Sequence, residues 1–310
     1  MGVLGRIAAA VALCLMTYGS AGAAPPQVWI ALSEAGGAHA EAADALRGEL
    51  ERGGGLRAEI RTVPWQQFSG ARPEPKAVVA VGLSALRGMQ EMFAAAPSPP
   101  PLLAILVPRV AFERLADPAR LRTGTLSAVF LDQPPGRQLE LIRLALPSAR
   151  SVGILVGPES RNLAAGLERA ARERALHLHV EQAEVDGLFP ALQSVLADAD
   201  LLLALPDPSV FSSQTAAAIL SASYRRRVPL VGFSPAYSRA GALLSLYTTP
   251  AQAGVQGAEL LRQVLAGRPL PAPTWPREFS VSVNADVARS LDLSADERTL
   301  AEQLRKKERQ

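Results

Sequence analysis

The sequence predicts an α/β protein made of two doubly wound, Rossmann-like lobes with a ligand cleft between them. Short apolar runs of strand length alternate along the chain with segments rich in Ala, Leu, Arg and Glu that have helical spacing. The strands are mostly apolar on both faces, which is typical of parallel sheets covered by helices on both sides. The alternation restarts partway along the chain, so it predicts two sheets and not one.

The first unit begins after Pro25 and Pro26. Its pattern predicts strands at 27–32, 56–63, 77–82 and 101–107 and helices at 39–52 and 84–96. The second unit predicts strands at 123–131, 151–157, 176–185, 200–207, 228–233, 242–249 and 277–284. Its predicted helices are at 135–147, 161–175, 188–199, 212–227, 251–267 and 285–293.

These elements predict a division of the chain into lobes. We assign 26–122 plus 247–293 to lobe 1, 123–246 to lobe 2, and 294–310 to a charged C-terminal tail that is either helical or disordered. Open α/β sheets bind ligands outside the carboxyl ends of their strands. Two such lobes facing each other would form a cleft that can close around a ligand.

Residues 1–23 have the pattern of a cleaved secretory signal peptide. A short basic start precedes an apolar run at 7–16 that is too short to span a bilayer comfortably, and Ala21 and Ala23 give the small-x-small cleavage site. The short run disfavours the alternative, a retained membrane anchor. The only cysteine, Cys14, lies in this segment, so the exported chain would depend on its core and not on disulfides. The sequence therefore predicts a periplasmic protein.

The charges are nearly balanced, with 32 Lys and Arg against 29 Asp and Glu. The basic residues are scattered among acidic ones, and no basic stripe alternates with aromatic residues. This pattern does not favour a nucleic-acid partner. No later apolar run is long enough to predict a second membrane span.

Ser84 raises the question of catalysis, because it follows the apolar strand AVVAV and Gly82 in the manner of a degenerate nucleophile elbow. A hydrolase of this type needs a histidine on a loop near the C-terminus. Here His39 precedes Ser84, and His177 and His179 lie on a predicted strand. We therefore interpret Ser84 as a ligand-binding hydroxyl at a helix N-terminus, or as a plain helix N-cap.

The pair His177 and His179 lies on one face of its strand. Two imidazoles are half of a zinc site, and no third group of ligands accompanies them. We expect neither a metal nor a cofactor.

Polar residues at the ends of other predicted strands are candidates for ligand contacts. Asp207 could pair with a ligand ammonium or cap the following helix. Arg109 could bind a carboxylate through two hydrogen bonds or be a solvated loop residue. Tyr237 could stack on a ligand, and Ser33 and Ser160 follow strands in lobes 1 and 2.

Several segments resemble one known family when they are taken in order. The stretch TGTLSAVFLDQPPGRQLELIRLALPSARSVGILVGPES (123–160) resembles the hinge strand, first helix and first strand of the second lobe in bacterial ABC transporter substrate-binding proteins of the type I periplasmic fold. Segments 197–211, 226–246 and 278–293 resemble later parts of that family, some of whose members bind aromatic amino acids. The resemblance covers most of 77–293.

This resemblance implies a monomeric periplasmic solute-binding protein without catalytic activity. It would capture a small, amino-acid-like ligand by hinge closure and pass it to an ABC permease of the inner membrane. The expected ligand contacts are Ser33, Ser84 and Arg109 from lobe 1 and Ser160, Asp207 and Tyr237 from lobe 2. Two alternatives are a ligand-sensing periplasmic protein that works without a permease and an exported α/β hydrolase that uses Ser84.

Overall fold

A computed structural model describes residues 27–52, 58–69, 74–183 and 187–309. These residues form two sheets flanked by helices, which confirms the predicted two-lobed α/β fold. The predicted signal peptide at 1–23 lies outside the described residues. None of the described helices is long and apolar enough to cross a membrane.

Strands and helices alternate along the chain as predicted, and three short helices occur that the sequence pattern did not predict, at Arg109–Leu115, Pro118–Arg122 and Pro235–Ala240. The strands are β1 (Gln27–Leu32), β2 (Glu59–Pro64), β3 (Ala77–Val81), β4 (Leu102–Val107), β5 (Leu126–Phe130), β6 (Ser151–Val156), β7 (His177–Gln182), β8 (Leu201–Leu203), β9 (Leu230–Gly232), β10 (Leu244–Tyr247) and β11 (Ser280–Val283). The helices are α1 (Gly37–Arg52), α2 (Leu83–Met92), α3 (Arg109–Leu115), α4 (Pro118–Arg122), α5 (Pro135–Ala145), α6 (Ala164–Arg172), α7 (Leu188–Asp198), α8 (Ala216–Arg225), α9 (Pro235–Ala240), α10 (Pro250–Leu265), α11 (Ala285–Ser290) and α12 (Glu297–Glu308).

The first lobe is built on a parallel five-stranded sheet in the order β2-β1-β3-β4-β5. Helices α1 and α10 pack on one face of this sheet, and α2 and α3 pack on the other. All five residues of the central strand β3 are buried as a result. This explains why the sequence of β3 is apolar without alternation.

The second lobe is built on a six-stranded sheet in the order β11-β10-β9-β8-β6-β7. Its strands are parallel except for the antiparallel pair β10 and β11. Helices α5, α6 and α12 pack on one face, and α7 and α8 pack on the other.

The predicted boundaries between the lobes are wrong at two places. The strand predicted at 123–131, assigned to lobe 2, forms β5 and pairs with β4 in the first sheet, because consecutive strands tend to occupy neighbouring positions. The segment 247–293 does not belong to lobe 1 as a whole. Its helix α10 packs on α1, but β11 pairs with β10 in the second sheet.

Within the described residues, the chain therefore crosses between the lobes three times. We call the connections the first crossover segment (131–134, after β5), the second (248–249, after β10) and the third (275–278, before β11). These three segments are the connections between the two lobes within the part of the chain that the structure describes.

The predicted charged tail is a helix that belongs to the second lobe. Asp296 caps α12 by accepting a hydrogen bond from the backbone N of Thr299 (2.8 Å). Leu300, Ala301 and Leu304 are buried in the core beside α5 and α6. The helix is therefore amphipathic, and its charges cover the face that points away from this core.

Close packing of α10 on α1 completes the first lobe. Thr249 and Gln252 form a capping box at the start of α10. One turn later Gly254 lies so close to α1 that a Cβ at this position would collide with the carbonyl oxygen of Ala42. The two helix backbones approach each other there because glycine has no side chain.

We expect Gly254→Ala to lower the free energy of unfolding by about 1–3 kcal/mol, because the added methyl group must push the backbone of α1 aside. Urea unfolding measures the change. Gly48→Ala is the control, since a Cβ at Gly48 on α1 meets nothing within 4 Å. Alanine in place of an unconstrained helical glycine should stabilise the protein by roughly 0.5–1 kcal/mol. Equal effects of the two substitutions would refute the packing argument.

Candidate functional site

A cavity of about 630 Å³ lies between the two lobes, at the carboxyl ends of β5, β8, β9 and β10. Helix α1 lines it from the first lobe, helices α5, α6 and α9 line it from the second, and all three crossover segments contribute. We call it the inter-lobe cavity. Its size is typical of a small-molecule site, and its position is the one expected for open α/β sheets.

The walls of the inter-lobe cavity are largely apolar. The apolar lining residues are Ala38, Leu131, Pro135, Leu163, Leu167, Leu205, Pro206, Phe233, Pro235, Leu246, Pro250 and Trp275. Trp275 packs edge-on against Phe130, with ring centres 5.4 Å apart, and Phe233 packs against Tyr237 at 4.7 Å. Leu131 is 37% exposed, so part of its side chain is uncovered where it lines the cavity. Apolar surface of this kind favours a ligand that would cover it.

Three charged residues line the cavity. Asp132 accepts a hydrogen bond from the backbone N of Arg109, and burial raises the pKa of its carboxyl group above the usual range. Glu41 on α1 and Arg239 on α9 are both exposed, and neither has a hydrogen-bond or ion-pair partner among the described residues. The cavity thus holds an unpaired carboxylate from the first lobe and an unpaired guanidinium from the second.

Polar side chains at the base of the cavity connect the crossover segments. Gln133 in the first segment donates from Nε2 to Oγ1 of Thr248 in the second (2.8 Å). The Thr248 hydroxyl donates to the carbonyl oxygen of Glu278 in the third (2.9 Å). Arg137 on α5 donates from Nη1 to Oε1 of Gln133 (2.9 Å). Gln133 and Thr248 are buried and satisfied by these contacts.

Asp207 and Ser160, two predicted ligand contacts, hydrogen-bond to each other and do not line the cavity. Asp207 is 1% exposed, and its Oδ2 accepts hydrogen bonds from the Ser160 hydroxyl and backbone N (both 2.8 Å) and from the backbone N of Glu159. Its Oδ1 accepts from the hydroxyl and backbone N of Ser209 (2.6 and 3.0 Å). The carboxylate therefore joins the loops after β6 and β8, and its neighbour Pro206 lines the cavity instead.

Burial alone would raise the pKa of the Asp207 carboxyl, but the hydrogen bonds from Ser209 and Ser160 outweigh burial and hold the pKa below its usual range. The ionised form is thus favoured in the folded protein. Its role is to connect two loops that carry residues of the cavity wall.

Tyr237 is a core residue and not a cavity residue. Its ring packs against Phe211 and Phe233, and its hydroxyl donates to the carbonyl oxygen of Phe211 (3.3 Å). Burial raises the pKa of Tyr237 to about 12. Phe233, before α9, and Arg239, within α9, line the cavity instead.

Ser33 and Ser84 lie near each other at the carboxyl ends of β1 and β3, but neither lines the inter-lobe cavity. The Ser33 hydroxyl accepts a hydrogen bond from the backbone N of Ala85 (2.9 Å) and so caps α2. Gly82 has a φ of 91°, and its missing side chain leaves room for Ser33 and His39. Ser84 is exposed and makes no hydrogen bond to a described histidine, so no nucleophile–base pair is formed.

Arg109 lies behind Trp275 and not in the cavity. Its Nε donates to Glu113 (2.7 Å), and its guanidinium lies 5.3 Å from the Trp275 ring centre. His177 and His179 lie on the edge strand β7, and no cluster of three metal-ligating side chains occurs among the described residues.

The comparisons with known proteins agree with this two-lobed architecture. Residues 113–307 match the model of the ABC transporter substrate binding protein family, so the chain belongs to that family. The family binds solutes and does not transform them, which confirms a binding protein and not an enzyme. No curated protein matches the chain.

Three solved structures show the same fold. A substrate binding protein with adhesive properties from Clostridium difficile, in its ligand-free, open structure, has a TM-score of 0.70 and 15% identity, covering 87% of this chain and 96% of that one. An ABC domain from Streptococcus pneumoniae in complex with L-Trp has a TM-score of 0.62 and 15% identity, covering 89% of this chain and 98% of that one. A conserved domain protein from Vibrio cholerae has a TM-score of 0.61 and 20% identity, covering 90% of this chain and 98% of that one. These likenesses confirm the type I periplasmic binding fold.

We expect Asp207→Asn to lower the free energy of unfolding by about 2–3 kcal/mol at pH 7, because an amide cannot accept all the hydrogen bonds of the carboxylate. Since folding lowers the pKa of Asp207, the carboxylate stabilises the protein above its unfolded pKa of about 4. That stabilisation is lost as the pH falls through the lower, folded pKa. The difference in free energy of unfolding between wild type and Asp207→Asn should therefore become smaller at acid pH.

Urea unfolding at pH 7 and at several values below pH 4 tests this expectation. Asp44→Asn is the control, because Asp44 is exposed on α1 and has no partner among the described residues. A difference for Asp207→Asn that stays constant down to the lowest pH would contradict the role of the ionised carboxylate.

Proposed function

We propose that the protein is a periplasmic solute-binding protein of an ABC uptake system, exported by the signal peptide at 1–23. It captures an amino-acid-like ligand in the inter-lobe cavity by closing its two lobes, and it passes the ligand to a permease of the inner membrane. It acts as a monomer, since one chain supplies both walls of the cavity. The moving bodies are the first lobe, with α10, and the second lobe, with β10, β11 and α12.

The observation that carries this proposal is the pair of unpaired charges in the cavity. Glu41 belongs to the first lobe and Arg239 to the second, and each lacks a partner among the described residues. An amino acid carries an ammonium group for the carboxylate and a carboxylate for the guanidinium. A ligand that contacts both lobes stabilises the closed state over the open one, because it makes both contacts only when the lobes are close.

The apolar walls would hold the side chain of that ligand. Leu131, Phe233 and Trp275 offer surface that an aromatic or bulky aliphatic side chain would cover. L-Trp, present in the similar Streptococcus pneumoniae structure, combines both features, an α-amino acid group and a large apolar ring. It is therefore the first probe to use.

We expect the protein to bind L-tryptophan more tightly than tryptamine, which lacks the carboxylate, and indole propionate, which lacks the amine. Glu41→Gln and Arg239→Gln should each weaken L-tryptophan binding by roughly 10- to 100-fold, the value of a hydrogen bond to a charged group. Arg239→Gln should remove the preference for L-tryptophan over tryptamine. Glu41→Gln should remove the preference for L-tryptophan over indole propionate.

Isothermal titration calorimetry measures these affinities. Glu51→Gln on α1 and Arg169→Gln on α6 are matched controls, because both residues are exposed and lie outside the cavity. Two outcomes would show that Glu41 and Arg239 do not recognise a zwitterion. Either the controls weaken binding as much as the cavity variants do, or each cavity variant weakens the binding of all three compounds equally. In the latter case a panel of organic acids, amines and sugars would replace the amino acids.

A further inference from the structure

Arg137, in the first turn of α5, is a buried arginine whose partners lie in the crossover segments. It is 8% exposed. Its Nη1 donates to Gln133 in the first segment and to the carbonyl oxygen of Pro276 in the third, both at 2.9 Å. Through Gln133 the connection reaches Thr248 in the second segment. One guanidinium therefore links all three segments that join the lobes.

The C-terminal helix supplies the charge that balances Arg137. Glu308, at the end of α12, places its Oε1 2.5 Å from Nε of Arg137. One turn earlier, Arg305 donates to the carbonyl oxygen of Phe279 (3.1 Å), directly after the third crossover segment. The guanidinium groups of Arg137 and Arg305 lie 4.7 and 5.1 Å from the centre of the buried Phe279 ring.

These contacts do more than attach α12 to the second lobe. The helix is already held there by Leu300, Ala301 and Leu304, which lie one or more turns before Glu308. Glu308 contacts the base of the hinge instead. A buried guanidinium keeps a fixed position only when its charge is paired and its N–H groups have acceptors. Its planar fork can then hold several acceptors in a defined arrangement.

We infer that Arg137, held by Glu308, is a positioning residue of the hinge: it keeps the three crossover segments in one arrangement, so that the lobes close along a single path. The C-terminal helix thereby takes part in ligand capture without touching the inter-lobe cavity. This inference rests on the proposed capture by lobe closure. Without the pair, the segments would move independently, and fewer molecules would adopt the arrangement that brings both walls onto one ligand.

The test measures the distance between the lobes in the absence of any ligand. Spin labels replace Glu91 on α2 and Glu168 on α6, which are exposed and have no partner among the described residues. Cys14→Ser, in the chain expressed from its full sequence, removes the only other cysteine. Pulsed electron paramagnetic resonance gives the distribution of distances in otherwise wild-type protein, in Glu308→Gln and in Arg137→Lys.

We expect Glu308→Gln and Arg137→Lys to broaden the distribution of distances between the lobes. The first substitution removes the charge pair, and the second removes the planar guanidinium that holds several acceptors. Glu302→Gln is the matched control, since it breaks only the exposed ion pair with Arg298 on the same helix (3.0 Å). It should leave the distribution unchanged. Glu308→Gln keeps the apolar anchor of α12 and is expected to fold even if Arg137→Lys does not. With L-tryptophan as the probe, Glu308→Gln should weaken binding on the order of tenfold.

An unchanged distribution in Glu308→Gln, or an equal broadening in Glu302→Gln, would overturn the inference. The distance measurement needs no ligand, so it decides the role of Arg137 even if the wild type does not bind L-tryptophan. That failure would count against the proposed amino-acid ligand alone. A broadened distribution with unchanged probe affinity would also overturn the inference, because the hinge arrangement would then not govern capture.

Discussion

Close packing of α10 on α1 is the contact on which the architecture depends, because the two helices are separated in sequence by most of the second lobe. The chain must leave the first lobe after β5, build most of the second, and return before the first lobe can bury its apolar face. Gly254 allows the helix backbones to approach closely enough for this. The crossover segments are a direct result of this return, and the inter-lobe cavity lies beside them at the carboxyl ends of the strands.

The chemistry of the molecule follows from which charged groups the fold leaves without partners. Asp207 and Glu41 are both carboxylates near the cleft, yet Asp207 accepts hydrogen bonds from two loops and Glu41 has no partner among the described residues. A carboxylate whose acceptor positions are filled stabilises the fold. A carboxylate left unpaired in a cavity can bind a ligand. The same distinction separates Arg137, which donates hydrogen bonds to acceptors in the crossover segments, from Arg239, which lines the cavity.

Much of the fold was predictable, because it depends on periodicity. The apolar runs at 77–82 and 101–107 became the buried strands β3 and β4, and the helix predicted at 84–96 became α2. The lobe boundaries at 123 and 247 were not predictable in the same way, since a strand's pattern shows that it is buried but not which sheet edge it joins. The predicted tail became α12, whose burial of Leu300 and Leu304 depends on a surface formed by distant residues.

The candidate site was predicted less well, and for a consistent reason. The six predicted contacts lie near strand ends, as expected for this fold. For two of them, residues nearby in the sequence line the cavity instead: Pro206 next to Asp207, and Phe233 and Arg239 on either side of Tyr237. Which residue of a short turn points inward depends on the local backbone and on competing hydrogen-bond partners. For example, Ser33 and Ser160 are used to cap a helix and to bind Asp207.

The sequence by itself determined the α/β class, the alternation of strands and helices, and, through the order of its segments, the solute-binding family. These depend on periodicity and local residue types, which the chain carries everywhere along its length. Only the tertiary structure decided that β5 completes the first sheet, that Glu41 and Arg239 share one cavity, and that Glu308 reaches Arg137. Each of these three arrangements joins residues that are far apart in sequence. The packing of whole lobes brings those residues together.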